Sequence, residues 1–158
     1  MTSVELMDNL ADFLRSVIDG HYSTSQSDGT IAVYAGYPPV RTAPDEMQSY
    51  IYCLVTGVTD SDDPSYSQAT VEIGCSIYSA DVGDGWRALA NLMEHIRQAL
   101  LSHRTLKERA VLVLPLRMEM PDAQPYPQWQ GRLTATYTIG QPDDYEWKGI
   151  LQEMTYGG

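Results

Sequence analysis

The side chains that would do chemistry in this chain are scattered. Asp60, Asp62 and Asp63, in T-D-S-D-D-P-S-Y-S-Q, begin like a calcium loop, but the central glycine and terminal glutamate that complete an EF-hand are missing. A solvated or pore-facing loop suits them better than a metal site. His21, His95 and His103 are dispersed, and there is no HExxH, no paired CxxC and no glycine-rich phosphate loop. The amides of G-D-G-W at 83–86 could cradle an anion, although the composition is that of an ordinary helix start. Ser65, Ser67 and Ser76 lack an identifiable base and oxyanion arrangement. The expectation is therefore a protein that is not an enzyme, with no metal and no cofactor. A small acidic enzyme or ligand-binding domain is the alternative class, and a defined pocket with convergent polar groups would distinguish it.

The most informative stretch is 118–139, M-E-M-P-D-A-Q-P-Y-P-Q-W-Q-G-R-L-T-A-T-Y-T-I, which joins two strand-like runs through a proline and aromatic connector. From 132 to 139, Leu133, Ala135, Tyr137 and Ile139 alternate with Arg132, Thr134, Thr136 and Thr138, the period of a half-buried strand. Before it, 111–120 is almost continuously apolar, as a strand covered on much of both faces would be. Pro115 lacks a donor and favours an edge or a bulge. Pro121, Pro125 and Pro127 each fix φ and bias the preceding residue to extended geometry, so a stiff, shaped loop is expected. Tyr126 and Trp129 on that loop have two readings: interface anchors presented at little ordering cost, or rings folded back on the domain's own core.

The elements that must position this loop are legible from periodicity. Thr2 with Glu5 is a capping-box pattern, and Leu6, Leu10, Phe13, Leu14 and Val17 recur at helical spacing until Gly20. Strands are expected at 30–35, 50–58 and 69–78, with the acidic linker as a long hairpin tip between the last two. Asp84 or Asp81 caps a second helix from about residue 85 to 103, with Leu89, Leu92, Met93, Ile96, Ala99 and Leu100 on its stripe. That helix is long enough for a crossover, so a parallel pair between the third and fourth strands is expected. The fold class is α+β: one domain over 1–140 in the order α-β-β-β-α-β-β, with a mixed, mostly antiparallel sheet of four to five strands and both helices on one face. An acidic, aromatic C-terminal tail follows over 141–158.

A chain of 158 residues buries about 70% of its unfolded surface and needs no metal or disulfide to fold. Cys53 and Cys75 fall in separate strand-like runs, where small buried thiols are common. No leader and no apolar run of membrane-spanning length occurs, so a soluble protein made in a cytoplasm is expected, with no membrane partner. The formal net charge of −11 argues against general affinity for nucleic acid. Residues 1–86 hold two basic against thirteen acidic side chains, whereas 87–132 hold seven against four. If these segments occupied different faces the molecule would be electrically polar; otherwise the charges mix in three dimensions.

Two stretches, D-G-W-R-A-L-A-N-L-M-E-H-I-R-Q-A-L-L at 84–101 and V-L-P-L-R-M-E-M-P-D-A-Q-P-Y-P-Q-W-Q-G-R-L-T-A-T-Y-T-I at 113–139, resemble the small tail-terminator, or tail-completion, proteins of long-tailed bacteriophages. The resemblance covers the C-terminal half, and the first half only in its order of elements. It implies a homo-hexameric ring in the virion neck, assembled in the bacterial host cytoplasm, that caps the tail tube, stops its polymerisation and offers a joining surface to the head. The implied partners are other copies of the chain, the tail tube protein and a head-completion or connector protein. Another neck component, such as a head-completion or minor tail protein, is the nearest rival. A domain of this length has a radius of gyration of about 15 Å, and six such bodies in contact leave a hole wide enough for duplex DNA. DNA would only pass through. On this reading Asp60, Asp62 and Asp63, or the acidic tail, line the lumen, and Tyr126, Trp129, Arg117 and Arg132 are candidates for contacts between subunits or with the tube.

Overall fold

A computed structural model describes residues 1–19, 31–39, 48–62, 66–142 and 153–154. Helix α1 (Ser3–Asp19) begins with a completed capping box: the Glu5 N–H donates to Thr2 Oγ1 and the Thr2 N–H to Glu5 Oε2, each at 3.1 Å. Two of the amides that a helix start leaves orphaned are thereby satisfied. Leu6, Leu10, Ala11, Leu14 and Ile18 form its buried stripe. Helix α2 (Gly85–Ser102) buries Leu89, Leu92, Met93, Ile96 and Leu100. Of the two expected caps, Asp81 does the bonding: its Oδ1 accepts the N–H groups of Gly83 and Asp84, and its carbonyl accepts that of Gly85. Asp84 stands at the N-cap without a side-chain cap bond.

Both helices lie on one face of a single sheet and share one core. The strands are β1 (Ala32–Ala35), β2 (Tyr50–Asp60), β3 (Ser67–Tyr78), β4 (Thr105–Leu106), β5 (Ala110–Glu119) and β6 (Gln128–Ile139). Their spatial order is β1-β2-β3-β6-β5-β4. The α+β class and the helices on one face agree with expectation; the strand number does not. The described residues form six strands, because β4, two residues long, is too short to carry a period.

The parallel pair is also elsewhere than expected. β1 and β2 run parallel, and the other neighbours are antiparallel. Helix α2 does cross from β3 to a strand of the same direction, β5, but β6 inserts between them and pairs with both. An amino-acid pattern fixes which face a strand buries, not which strand returns to fill a gap.

The core face alternates as the sequence predicts. Val71, Ile73, Cys75 and Ile77 of β3 sit opposite Ala135, Leu133, Gly131 and Trp129 of β6, and Tyr137 is fully buried. Met93 of α2 packs on Gly131, which leaves no room for a side chain. Cys53 and Cys75 are diagonal neighbours across β2 and β3, both buried and both free thiols. Pro115 lies in a break of the β5·β6 register between Val113 and Arg117, as a residue without a donor should. His95, the histidine of the core helix, bonds the Val17 carbonyl of α1 at 3.2 Å, which gives it a structural place.

Candidate functional site

The domain has two ends of different chemistry, set by β3. Strand β3 runs twelve residues from Ser67 to Tyr78, about 36 Å at the usual rise. At one end lie Asp60, the tip after it and the exit of β6. At the other lie the proline connector, the start of α2 and the loop before it.

The connector is held by its own side chains. Gln124 Nε2 donates to the carbonyls of Pro121 (2.8 Å) and Gln130 (2.9 Å), while its Oε1 accepts the Gln130 N–H. The Ser79 N–H donates to the Pro127 carbonyl, the Tyr126 hydroxyl to the Ala80 carbonyl at 2.8 Å, and Trp129 Nε1 to the Ser79 carbonyl at 3.1 Å. Tyr126 meets Trp129 edge to face, with centroids 6.2 Å apart. The indole lies directly over Gly85, where a Cβ would collide with it. Of the two readings of these rings, the own-core reading describes Trp129, which is half-buried against the main core. Tyr126 remains 49% exposed, with its hydroxyl satisfied.

Arg117 and Arg132 are brought together on the sheet face away from the helices. Arg117 pairs with Glu119 at 2.7 Å, and Arg132 pairs with Glu119 at 3.0 Å and Glu72 at 3.7 Å. The Tyr52 hydroxyl donates to Glu72 Oε2 at 2.9 Å, and its ring covers Gly74. Burial, then the bond to Glu72, pushes the Tyr52 pKa far above the ordinary phenol value, so Tyr52 is a donor and not a base. Tyr52, Glu72 and Arg132, with Tyr50, Ser76, Pro121 and Gln130, line an open concavity of about 310 Å³. Its charged groups are turned on one another, and each exposed pair contributes roughly 0–1 kcal/mol. The arrangement braces four strands; it does not poise a nucleophile.

At the opposite end Asp60 accepts a short hydrogen bond from the Ser67 hydroxyl across the hairpin register. The Ser61 carbonyl accepts from Gln141 Nε2 at 2.9 Å. Asp60 and Asp62 are exposed, and Asp63 lies outside the described residues, as do 143–152 and 155–158 of the acidic tail. Among the described residues no group of three or more histidine, cysteine or acidic side chains is placed to hold a metal. No described helix is long and apolar enough to cross a membrane. The basic and acidic segments interdigitate at Arg109–Glu5 and Arg132–Glu72.

Two residues beside the connector were not singled out from the sequence. Val82 is 72% exposed and Trp86 43% exposed. The stripe of α2 read backward from Leu89 places a buried position at 85 or 86. Gly85 takes it, under the Trp129 ring, and turns Trp86 outward. Trp86 Nε1 donates to the Gly83 carbonyl at 3.0 Å, and the Arg87 guanidinium lies 4.7 Å from its ring centroid.

No known protein family matches this sequence. No curated protein matches it either. Among solved structures, a chain titled as the virion of the native gene transfer agent (GTA) particle is similar, at 16% identity over 80% of this chain and 89% of that chain, with a TM-score of 0.43.

Proposed function

We propose that this chain is a non-enzymatic virion assembly protein that forms a ring on the end of a phage tail tube, stops the tube's polymerisation and presents a joining surface to the head. The observation that carries the reading is that the two stretches resembling tail-terminator proteins form one unit. Helix α2 packs on β5 and β6, and the 120–127 connector with the start of β6 clasps the start of α2 and the loop before it, through Trp129 over Gly85 and Tyr126 to Ala80. A stop signal of this kind needs no covalent step. It needs one end that fits the last tube ring and another that does not accept a further tube subunit, and a protomer with two chemically different ends supplies the raw material for that.

The partners on this reading are further copies of the chain, the tail tube protein and a head-completion or connector protein, with DNA passing through the lumen. Exposed Asp60 and Asp62 suit a lumen lining, because fixed negative charge repels phosphates. Light scattering on the purified protein from low to high micromolar concentration, alone and with tubes, tests the ring. A hexamer in either condition is the expected result, and a monomer in both counts against the reading.

A further inference from the structure

We infer that the end of the domain bearing Val82, Trp86 and Tyr126 is the docking surface for the tail tube, and that its occupant is a protein surface with an aliphatic centre and a basic margin. This rests on the proposed capping function, and it names the end and the side chains that perform it.

Three observations carry the placement. The first is composition of the two ends. Val82, Trp86 and Tyr126 are 72%, 43% and 49% exposed; the first two come from the loop before α2 and its first turn, the third from the connector that the Tyr126 to Ala80 bond holds beside them. The opposite end also exposes Tyr66 and Val111, but sets them among carboxylates at Asp60 and Asp62 and the charged turn Lys107, Glu108, Arg109. Protein interfaces are anchored by aromatic side chains that can be fully desolvated, with the charged groups at the rim.

The second is that the polar atoms of both rings are already satisfied within the chain. Trp86 Nε1 bonds Gly83 and the Tyr126 hydroxyl bonds Ala80. The rings can therefore be covered by aliphatic groups without leaving a donor unmet, which selects a packed protein surface over a polar small molecule. The connector is also braced by Gln124, so little ordering is required on binding.

The third is charge. Asp81, Asp84 and Asp122 are exposed around the patch, against Arg87, which is engaged with Trp86 and with Asp84 at 3.7 Å. The margin is net acidic and is complemented by lysine or arginine on the partner. Trp129, by contrast, is the buttress beneath the patch, and Arg117 and Arg132 lie on the braced sheet face.

The test uses tubes assembled from the tail tube protein of the same genome, with the full-length chain, Val82→Lys and Trp86→Ser. Both variants change side chains outside the core and should keep the wild-type melting temperature and ring mass. Each is expected to weaken binding to tube ends by tenfold or more, measured by co-sedimentation and by counting capped ends in electron micrographs. Wild-type capping with undiminished capping by both variants overturns the placement alone. A variant that loses its ring mass while remaining folded assigns the patch to contacts between copies and likewise overturns it. Wild-type protein that leaves tube ends bare overturns the capping function and this placement together.

Discussion

Replacing Trp129 by alanine should destabilise the folded chain itself, and the structure sets the size of the effect. A fully buried tryptophan truncated to alanine costs about 3–5 kcal/mol; Trp129 is half-buried, so about 2 kcal/mol is the share from packing. The Ser79 carbonyl loses its donor at 3.1 Å, about 1 kcal/mol, and the edge-to-face contact with Tyr126 adds about 0.5–1 kcal/mol. The sum, about 3–4 kcal/mol, corresponds to a fall in melting temperature of about 10 °C for a chain of this length. A second substitution makes the reasoning specific. Gly85→Ala inserts a Cβ where the indole lies and should cost about 1–3 kcal/mol in the wild type. In the Trp129→Ala background the obstacle is gone, and the same change should cost nothing or stabilise the start of α2. Thermal and urea unfolding of the four proteins, followed by circular dichroism, gives the cycle. Additive costs, or a Trp129→Ala protein that melts like wild type, would show that the ring is not seated on Gly85.

Other consequences are quicker to check. Thr2→Ala removes one of the two capping-box bonds of α1 and should lower stability by about 1 kcal/mol in urea unfolding. Burial pushes the Cys53 thiol from 9.0 up to about 12 and Cys75 in the same direction, so native protein should resist a thiol reagent at neutral pH that labels unfolded chain at once. The same shift sets a sign for pH: the folded state holds its thiol protons longer. Stability should be unaffected by these thiols below pH 9.0 and should fall as the pH rises from there toward 12, seen as a declining urea midpoint. Reversing Asp60, Asp62 and Asp63 to lysine should leave the melting temperature within a few degrees of wild type but lower phage infectivity in a complementation assay; normal infectivity would remove these residues from the lumen.

The sequence makes local structure legible where one residue type has one physical job. Thr2 and Glu5 announce their reciprocal bonds, and the alternation of 69–78 and 132–139 announces which face is buried. Pro115 announces a break in pairing. What it does not show depends on contacts remote in sequence. β6 inserts between β3 and β5, so no parallel pair forms across the α2 crossover; the parallel pair is β1 with β2 at the other edge. Trp129 is drawn inward by a glycine more than forty positions earlier, and that same glycine turns Trp86 outward. The candidates Tyr126 and Trp129, three positions apart and alike in type, thereby end in different environments. Arg117 meets Glu119 two residues along its own strand, a pairing the alternation could have shown, whereas only the strand register supplies Glu119 and Glu72 as partners of Arg132.

The central claim is that this protein ends a growing tube. The direct measurement is the length of tail tubes polymerised from tube protein with increasing amounts of the full chain, by electron microscopy. The account predicts tubes that stop elongating once their ends carry a six-fold ring, with mean length falling as the chain is added before elongation. Tubes that elongate at the same rate and to the same length at every concentration would contradict it.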